Sequence, residues 1–218
     1  MATIESRPPL QPGEPAPDFT LSAVDRDGTV SLADYRGKSP LLLAVFRGLW
    51  CPFCRRAIAQ MGVTRQKLQA LGVETLGIVA TKPENARLYF RFHPTRVPLA
   101  ADPELITHRA YGLPKPPVTP ELMQALKVVR GNTTGELPEP QPLAEVGSAL
   151  DRLHGFEPTE TDRDDFQRQY PQLTGQFLVD RNGIVRWVGI ECAQEGLAGL
   201  GKFPIDEELV AAARALTG

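Results

Sequence analysis

The sequence predicts an α/β fold in which helices flank a central mixed β-sheet. A continuous apolar run at Leu41–Phe46 and a second run at residues 73–80 are separated by a segment with helical periodicity. This order of strand, helix and strand is typical of a βαβ unit. A later hairpin with an Asn-Gly turn lies at residues 176–188. The 218 residues are enough to bury one core, so we predict a single domain over residues 1–218.

Two features precede the first buried strand, and further elements follow the βαβ unit. Residues 1–12 show no periodic pattern, and we expect a loose arm there. Residues 19–31 surround Asp27-Gly28, a dipeptide that favours a tight turn, and this predicts a short hairpin. The elements expected after the unit are a helix over 83–92, a strand over 97–101 and a helix over 103–111.

Residues 113–171 differ in composition from the rest of the chain. They are rich in proline and contain two weak helical patterns, at residues 121–129 and 143–153. The charged cluster at residues 160–165 is typical of a solvated surface. Because the segment lacks a strong apolar pattern of its own, we predict a Pro-rich helical insertion rather than a second domain. An amphipathic helix over 206–216 is expected near the C-terminus.

Composition and patterning exclude several classes of function. The chain has 24 Lys and Arg against 26 Asp and Glu, a formal charge of −2, and therefore lacks the basic character of a nucleic-acid-binding protein. No basic and apolar leader opens the sequence, and its longest apolar run is far too short to span a membrane. We therefore expect a cytoplasmic protein with no membrane or nucleic-acid partner. In that reducing compartment, paired cysteines serve redox or metal chemistry more often than a structural disulfide.

The motif that carries chemistry is Cys-Pro-Phe-Cys at residues 51–54, at the junction of the first buried strand and its helix. A helix N-terminus offers unpaired N–H groups and a partial positive charge, and both favour a thiolate. Such positions lower the pKa of a cysteine from about 8.5 to roughly 3.5–7.5. Nearby positive charge would come from Arg47, Arg55 and Arg56.

The spacing of the two cysteines also points to redox chemistry. Three residues apart on a helix, their sulfurs lie on neighbouring surface, so a disulfide between them is sterically available. Cys51 lies at the helix start, and we expect it to be the more exposed, attacking thiol. Cys54 lies one turn further in, and we expect it to be more buried.

Two alternative interpretations of the cysteine pair are a zinc site and a pair of inert buried thiols. Zinc would need two more ligands, and the chain offers only Cys192, His93, His108 and His154, with no second pair at ligand spacing. We therefore expect no metal. Cys192 is interpreted either as a resolving thiol or as a structural cysteine. His93 and His108 have no visible partner, and we interpret both as surface or capping residues.

Several short stretches carry a resemblance to a known family. They are residues 13–21 (GEPAPDFTL), Gly28 with 30–32 (VSL), 35–38 (YRGK), 46–54 (FRGLWCPFC), 99–102 (LAAD), 111–112 (YG) and 177–183 (FLVDRNG). Together they resemble the peroxiredoxin family (alkyl hydroperoxide reductase/thiol-specific antioxidant), in the branch that carries a thioredoxin-style CxxC. The resemblance covers residues 13–112 and 175–215. It implies a thioredoxin-like fold with a peroxiredoxin-type N-terminal extension, and no cofactor.

The resemblance implies a thiol-based antioxidant oxidoreductase that acts through a Cys51/Cys54 dithiol–disulfide couple. Its substrates would be thiol- or disulfide-containing proteins or a hydroperoxide, and its reductant a thioredoxin- or glutaredoxin-type protein. Homodimers are frequent in this fold family. One alternative is a true hydroperoxide reductase in which Cys54 or Cys51 attacks the peroxide. Another is a non-enzymatic redox-sensing or binding module whose insertion docks a partner.

The active-site stretch departs from the Pro-x-x-x-Thr-x-x-Cys pattern of typical peroxiredoxins. If Cys54 attacks the peroxide, Cys51 stands in the threonine place and Arg47 in the proline place. If Cys51 attacks, these places hold Gly48 and Ala44. Neither register keeps the threonine that hydrogen-bonds the peroxide. Loss of positioned donors should slow peroxide reduction.

The residue types at two further positions also differ from those of peroxiredoxins and thioredoxins. The second active-site arginine of peroxiredoxins is replaced by Thr174, and Arg47 is the candidate substitute. Gly175 stands near the place of the cis-proline of thioredoxins. Beside the catalytic pair Cys51 and Cys54, the residues expected to line the site are Arg47, Trp50, Pro52, Phe53, Arg55, Thr174 and Gly175.

Overall fold

Seven strands build the central sheet of the computed structural model, which describes residues 7–217. These strands are β1 (Thr20–Ala23), β2 (Thr29–Ser31), β3 (Leu41–Phe46), β4 (Glu74–Val79), β5 (Leu99–Ala101), β8 (Gly175–Val179) and β9 (Val185–Ile190). Two short strands, β6 (Arg130–Gly131) and β7 (Gln141–Pro142), pair with each other outside this sheet. The helices are α1 (Pro52–Gln69), α2 (Pro83–Phe92), α3 (Ile106–Ala110), α4 (Pro120–Val128), α5 (Leu143–His154), α6 (Glu160–Gln169) and α7 (Asp206–Thr217).

The strand order in the large sheet is β2-β1-β5-β4-β3-β8-β9. The pairs β3–β4 and β4–β5 are parallel, and the other four pairs are antiparallel. All six side chains of β3 are buried, which explains its unbroken apolar sequence, because both faces of this strand are covered. The prediction of a mixed sheet flanked by helices is therefore confirmed, and the strand that leads into the CxxC motif lies well inside the sheet.

A loose arm was predicted over residues 1–12, of which residues 1–6 lie outside the described residues. The prediction of a loose arm is wrong for the part that follows. Leu10 is buried among apolar side chains of the sheet, and its backbone N–H donates to the carbonyl oxygen of Tyr111 at 3.3 Å. Burial of this leucine offsets the entropy lost on ordering the segment.

Three helices form within residues 113–171, one more than the sequence predicted. The additional helix is α6, whose charged sequence was interpreted only as a solvated surface. The Thr159 hydroxyl accepts the backbone N–H of Asp162, and the Asp162 carboxylate accepts the backbone N–H of Thr159, which forms a capping box. The inner side of α6 buries Asp165 and Gln169. The prediction of a solvated surface over residues 160–165 is therefore wrong for Asp165.

The segment 113–171 shares its core with helix α1. Leu126 of α4, together with Val146 and Leu150 of α5, belongs to the same buried cluster as Ile58 and Met61 of α1. That residues 113–171 are an insertion into a single domain stays a prediction. Among the described residues, no helix is both long and apolar enough to cross a membrane.

The shared core predicts that a cavity in α5 destabilises the whole molecule. Leu150 is 0% exposed, and Leu150→Ala should lower the free energy of unfolding by about 2–5 kcal/mol through lost burial and the cavity left behind. Urea denaturation followed by tryptophan fluorescence measures this change. Leu153, on the same helix, is 55% exposed, and Leu153→Ala should change the value by less than about 0.5 kcal/mol. A separate early transition in Leu150→Ala would contradict the shared core.

Candidate active site at the start of helix α1

Cys51 is the N-cap of helix α1, and Pro52 is the first helical residue. The Cys51 Sγ accepts a hydrogen bond from the backbone N–H of Cys54 at 3.2 Å. A thiol sulfur thus takes the place that a serine or aspartate oxygen usually holds at a helix start. The unpaired N–H groups and the dipole of the first turn favour a negative charge on this sulfur.

Arg47 directly follows strand β3, and its buried guanidinium lies against the Cys51 sulfur. The Nε donates to Cys51 Sγ at 3.3 Å, and Nη1 donates to the carbonyl oxygen of Gln172 at 3.1 Å. The Nη2 donates to Glu191 Oε1 at 3.1 Å in a buried ion pair. Arg47, the predicted substitute for the second active-site arginine of peroxiredoxins, is therefore in contact with the Cys51 thiol.

The two thiols have opposite pKa shifts. Burial raises the pKa of Cys51, but a hydrogen bond from the Cys54 thiol and the charge of Arg47 lower it, to about 7 overall. Burial and the hydrogen bond with Cys51 raise the pKa of Cys54 well above its usual range. Near neutral pH, Cys51 therefore titrates between thiol and thiolate, whereas Cys54 stays a thiol that donates to the thiolate.

Glu191 is the acidic member of this network, and the sequence analysis missed it. Its side chain is fully buried, and its Oε1 also accepts the backbone N–H of Gly201 at 2.7 Å. Its Oε2 accepts both the backbone N–H (3.0 Å) and the hydroxyl (3.1 Å) of Thr174. Thr174 is thus linked to Cys51 through Glu191 and Arg47. A pairing over 144 residues leaves no local signal in the sequence.

Both thiols are closed off from solvent in this structure, each with 0% relative exposure. The expectation that Cys51 is the more exposed of the two is therefore wrong. The segment directly in front of the motif is held by Gln169, the last residue of α6, and by the carbonyl oxygen of Gln172. The Gln169 Oε1 accepts the backbone N–H of Gly48 at 2.6 Å and the indole N–H of Trp50 at 2.7 Å.

Further contacts fix Gln169 and Trp50 in front of the motif. The Gln169 Nε2 donates to the carbonyl oxygen of Ala80 at 2.5 Å, so all polar atoms of this side chain are engaged. Trp50 is half-buried, and the ring of Phe166 meets it edge-on with 4.9 Å between centroids. The predicted site-lining residue Trp50 thus lies at the boundary between the thiol site and helix α6.

Arg55, also expected to line the site, is directed towards the predicted insertion instead. Its guanidinium donates to the carbonyl oxygen of Leu49 at 2.7 Å and to Asp151 Oδ1 at 2.5 Å. Its Cζ lies 3.5 Å from the centroid of the Phe156 ring. These contacts connect the first turn of α1 to helix α5 and to the residues that follow it.

The remaining predicted residues are buried beside the site. Phe53 packs against Gly201, where an added Cβ would come within 2.2 Å of the Phe53 ring, so only glycine fits there. Gly175 is the first residue of β8 and pairs with Val45. The cis peptide bond of this region lies at Tyr170–Pro171, before the position of Gly175.

Two further residues named in the sequence analysis, His108 and Cys192, lie close to Arg47. The interpretation of His108 as a surface or capping residue is wrong, because it is fully buried. Burial and the charge of Arg47 lower its pKa to about 3, so its ring is neutral near pH 7. Cys192 is half-buried, and burial raises its pKa to about 12. Its predicted role as a resolving or structural cysteine stays a prediction.

Two surface clefts border the site. One, of about 690 Å³, is lined by residues that include Thr174, Glu191 and Cys192. The other, of about 780 Å³, runs from Leu49 towards Phe156. Within residues 7–217, no three His, Cys, Asp or Glu side chains come together as metal ligands would.

Comparison with known proteins gives a family for the chain and several similar folds. A family model described as the AhpC/TSA family matches residues 12–188. No curated protein matches the sequence. The fold is similar to that of the reduced 2-Cys peroxiredoxin of Plasmodium vivax, with 16% identity and a TM-score of 0.61 over 96% of this chain and 83% of that chain.

Two further solved structures share the fold. Peroxidoxin BcpB of Mycobacterium tuberculosis is 13% identical, with a TM-score of 0.59 over 95% of this chain and 98% of that chain. A putative thiol:disulfide interchange protein DsbE of Chlorobium tepidum is 22% identical, with a TM-score of 0.51 over 96% of this chain and 99% of that chain. At these identities the likeness is one of fold.

The contacts of Gln169 predict that it keeps the thiol site closed. Gln169→Ala leaves the Gly48 N–H, the Trp50 indole and the Ala80 carbonyl without their partner, and should lower the free energy of unfolding by about 1–3 kcal/mol. The rate of Cys51 alkylation by iodoacetamide should rise about tenfold, which corresponds to about 1.4 kcal/mol in the opening equilibrium.

The matched control for this variant is Gln167→Ala, an exposed position on the same helix. It should leave both the unfolding midpoint and the alkylation rate within error of the wild type. Equal alkylation rates in Gln169→Ala and the wild type would show that Gln169 does not limit access to the thiol.

Proposed function

Because the chain belongs to the AhpC/TSA family, we propose that it is a thiol–disulfide oxidoreductase whose redox couple is Cys51 and Cys54. One observation carries this assignment of roles. The Cys51 sulfur accepts N–H groups from Cys54 and Arg47 at a helix start, whereas Cys54 is held as a protonated thiol. The thiolate is the nucleophile in thiol–disulfide exchange, so Cys51 attacks and Cys54 resolves.

The reaction proceeds in two exchanges. The Cys51 thiolate attacks one sulfur of a substrate disulfide, forms a mixed disulfide and releases the other substrate sulfur as a thiolate. The Cys54 thiol then gives up its proton and attacks Cys51, which releases the second substrate sulfur and leaves a Cys51–Cys54 disulfide. The substrate disulfide is reduced by two electrons, and the protein dithiol is oxidised by two.

The oxidised protein must be reduced again, and a thioredoxin- or glutaredoxin-type dithiol can do this by the reverse exchange. We place the protein in a reducing compartment such as the cytoplasm, where such reductants occur. Because both thiols are closed off, each exchange needs the segment around Trp50 and Gln169 to open. Motions of this kind occur on the microsecond to millisecond scale in many enzymes.

A second candidate function is the reduction of hydroperoxides, which the family match favours. Here the Cys51 thiolate takes the terminal oxygen of ROOH, and the O–O bond breaks. A proton completes the alcohol ROH, and the product at Cys51 is a sulfenic acid. The Cys54 thiol condenses with it, which forms the disulfide and releases water. Arg47 is the one charged donor in contact with the Cys51 sulfur among residues 7–217.

The pKa of Cys51 predicts how its reactivity depends on pH. The value is lowered to about 7, so the thiolate form is populated above pH 7 and lost as the pH falls through it. The rate of Cys51 alkylation, followed by peptide mass spectrometry, should have its midpoint near pH 7. In Cys51→Ser no peptide should show this midpoint, because the other two thiols have raised pKa values. A midpoint at or above pH 8.5 would remove the case for an activated thiol.

Single-cysteine variants separate the roles of the two thiols. Cys54→Ser should trap a mixed disulfide between Cys51 and a disulfide substrate such as insulin, and turnover should fall at least about a hundredfold because resolution is lost. Cys51→Ser should form no adduct through position 54, whose thiol is protonated. Trapping at Cys54 in Cys51→Ser, with none at Cys51 in Cys54→Ser, would reverse the assignment.

Stopped-flow mixing of the reduced protein with hydrogen peroxide tests the second candidate. If it is correct, thiol loss should be at least about a hundredfold faster than for free cysteine, because Arg47 can stabilise charge that develops on the reacting oxygens. Mass spectrometry after one equivalent should find the first oxidation at Cys51. A rate equal to that of free cysteine would leave disulfide exchange as the only candidate.

A further inference from the structure

The buried cation Arg47 lies between two anionic groups, the Cys51 thiolate and the Glu191 carboxylate. The Glu191 side chain has no exposed surface and is fixed by three further donors, two from Thr174 and one from Gly201. These donors come from the start of β8 and from the loop before α7. The carboxylate therefore stays in place whichever state the cysteines adopt.

The charge balance of this group changes with the redox state. In the dithiol form, Arg47 has two anionic neighbours, Cys51 and Glu191. In the disulfide form the charge on Cys51 is gone, and Glu191 alone compensates the buried guanidinium. Removing the partner of a buried charge is strongly unfavourable, so Glu191 matters more to the oxidised form than to the reduced one.

We propose that Glu191 is a positioning residue that sets the redox potential of the Cys51/Cys54 couple by sharing Arg47 with the Cys51 thiolate. This inference rests on the proposed function, because it concerns the same couple. Glu191 favours the disulfide in two ways: it compensates Arg47 after oxidation, and its negative charge opposes the thiolate before oxidation. A protein without this carboxylate should be a stronger oxidant, since stabilising the reduced form raises the potential.

The other titratable groups around Arg47 do not supply a substitute for this carboxylate. Cys54 on α1 is protonated, and His108 on α3 is neutral near pH 7. Cys192 follows Glu191 directly in the chain, and burial raises its pKa to about 12. Near neutral pH, the anions that act on Arg47 are thus Cys51 and Glu191.

The test is a redox titration of the full-length protein in glutathione buffers at pH 7. The samples are quenched, denatured and alkylated, and mass spectrometry then gives the disulfide fraction as the share of protein in which Cys51 and Cys54 carry no alkyl group. Glu191→Gln keeps the size of the side chain and removes its charge. Its equilibrium constant should move at least tenfold towards the dithiol, which is about 30 mV less negative. The pKa of Cys51, from the pH profile of alkylation, should fall in the same variant.

Two controls make the result specific. Glu195→Gln makes the same chemical change at an exposed residue four positions further on, and should leave the potential unchanged. Glu191→Asp keeps the charge but draws it back from Arg47, and should move the equilibrium constant about threefold in the same direction as Glu191→Gln. It also tests the proposal if Glu191→Gln does not fold.

Each outcome has a defined meaning. An unchanged or more negative potential in Glu191→Gln, or in Glu191→Asp if only that variant folds, overturns the role of Glu191 while the disulfide couple stands. A purely structural role for Glu191 would lower the stability of both redox forms equally and leave the potential in place. If the wild type forms no Cys51–Cys54 disulfide in oxidised glutathione, the proposed function itself fails.

Discussion

The guanidinium of Arg47 is buried at the end of the inner strand β3, and it needs acceptors for its N–H groups and an anion for its charge. This requirement shapes the whole site. The acceptors of Arg47 are the Cys51 sulfur, the Gln172 carbonyl and the Glu191 carboxylate. These groups belong to the start of α1, the segment after α6 and the end of β9. Because desolvation of an unpaired charge is costly, these distant parts of the chain are held together around one cation.

The segment 113–171 takes part in this arrangement and is more than a surface addition. It supplies Gln169 to the thiol site and Asp151 to Arg55, and its apolar residues share the core of α1. In the proposed function, a closed site of this kind protects the thiolate from unspecific reactions and makes exchange depend on opening. The geometry thus combines an activated sulfur with restricted access.

Local patterns in the sequence were sufficient to predict most of the fold. The apolar run Leu41–Phe46 and the motif behind it predicted β3 and the start of α1, because burial and helix capping act over a few residues. Helix α6 was missed because its buried positions are polar, Asp165 and Gln169, and leave no apolar period.

The candidate site could be predicted only in part. The position of Cys51 at a helix start follows from neighbouring residues, whereas the partners of Arg47 lie up to 144 residues away. The burial of Cys51 was equally beyond prediction, since the segment in front of it is held by Gln169, more than a hundred positions away in the chain. Long-range pairing of polar side chains is set by tertiary packing, and a single sequence does not record it.

The Cys51 sulfur, which the proposed function makes the reacting atom, is also the atom that caps helix α1. A thiolate is a strong acceptor for the Cys54 N–H, whereas a sulfur in a disulfide carries no charge and accepts weakly. Oxidation therefore loosens the backbone bond that fixes the first turn of α1. With the proposed couple, the backbone at the start of α1 is thus held less firmly in the disulfide form than in the dithiol form.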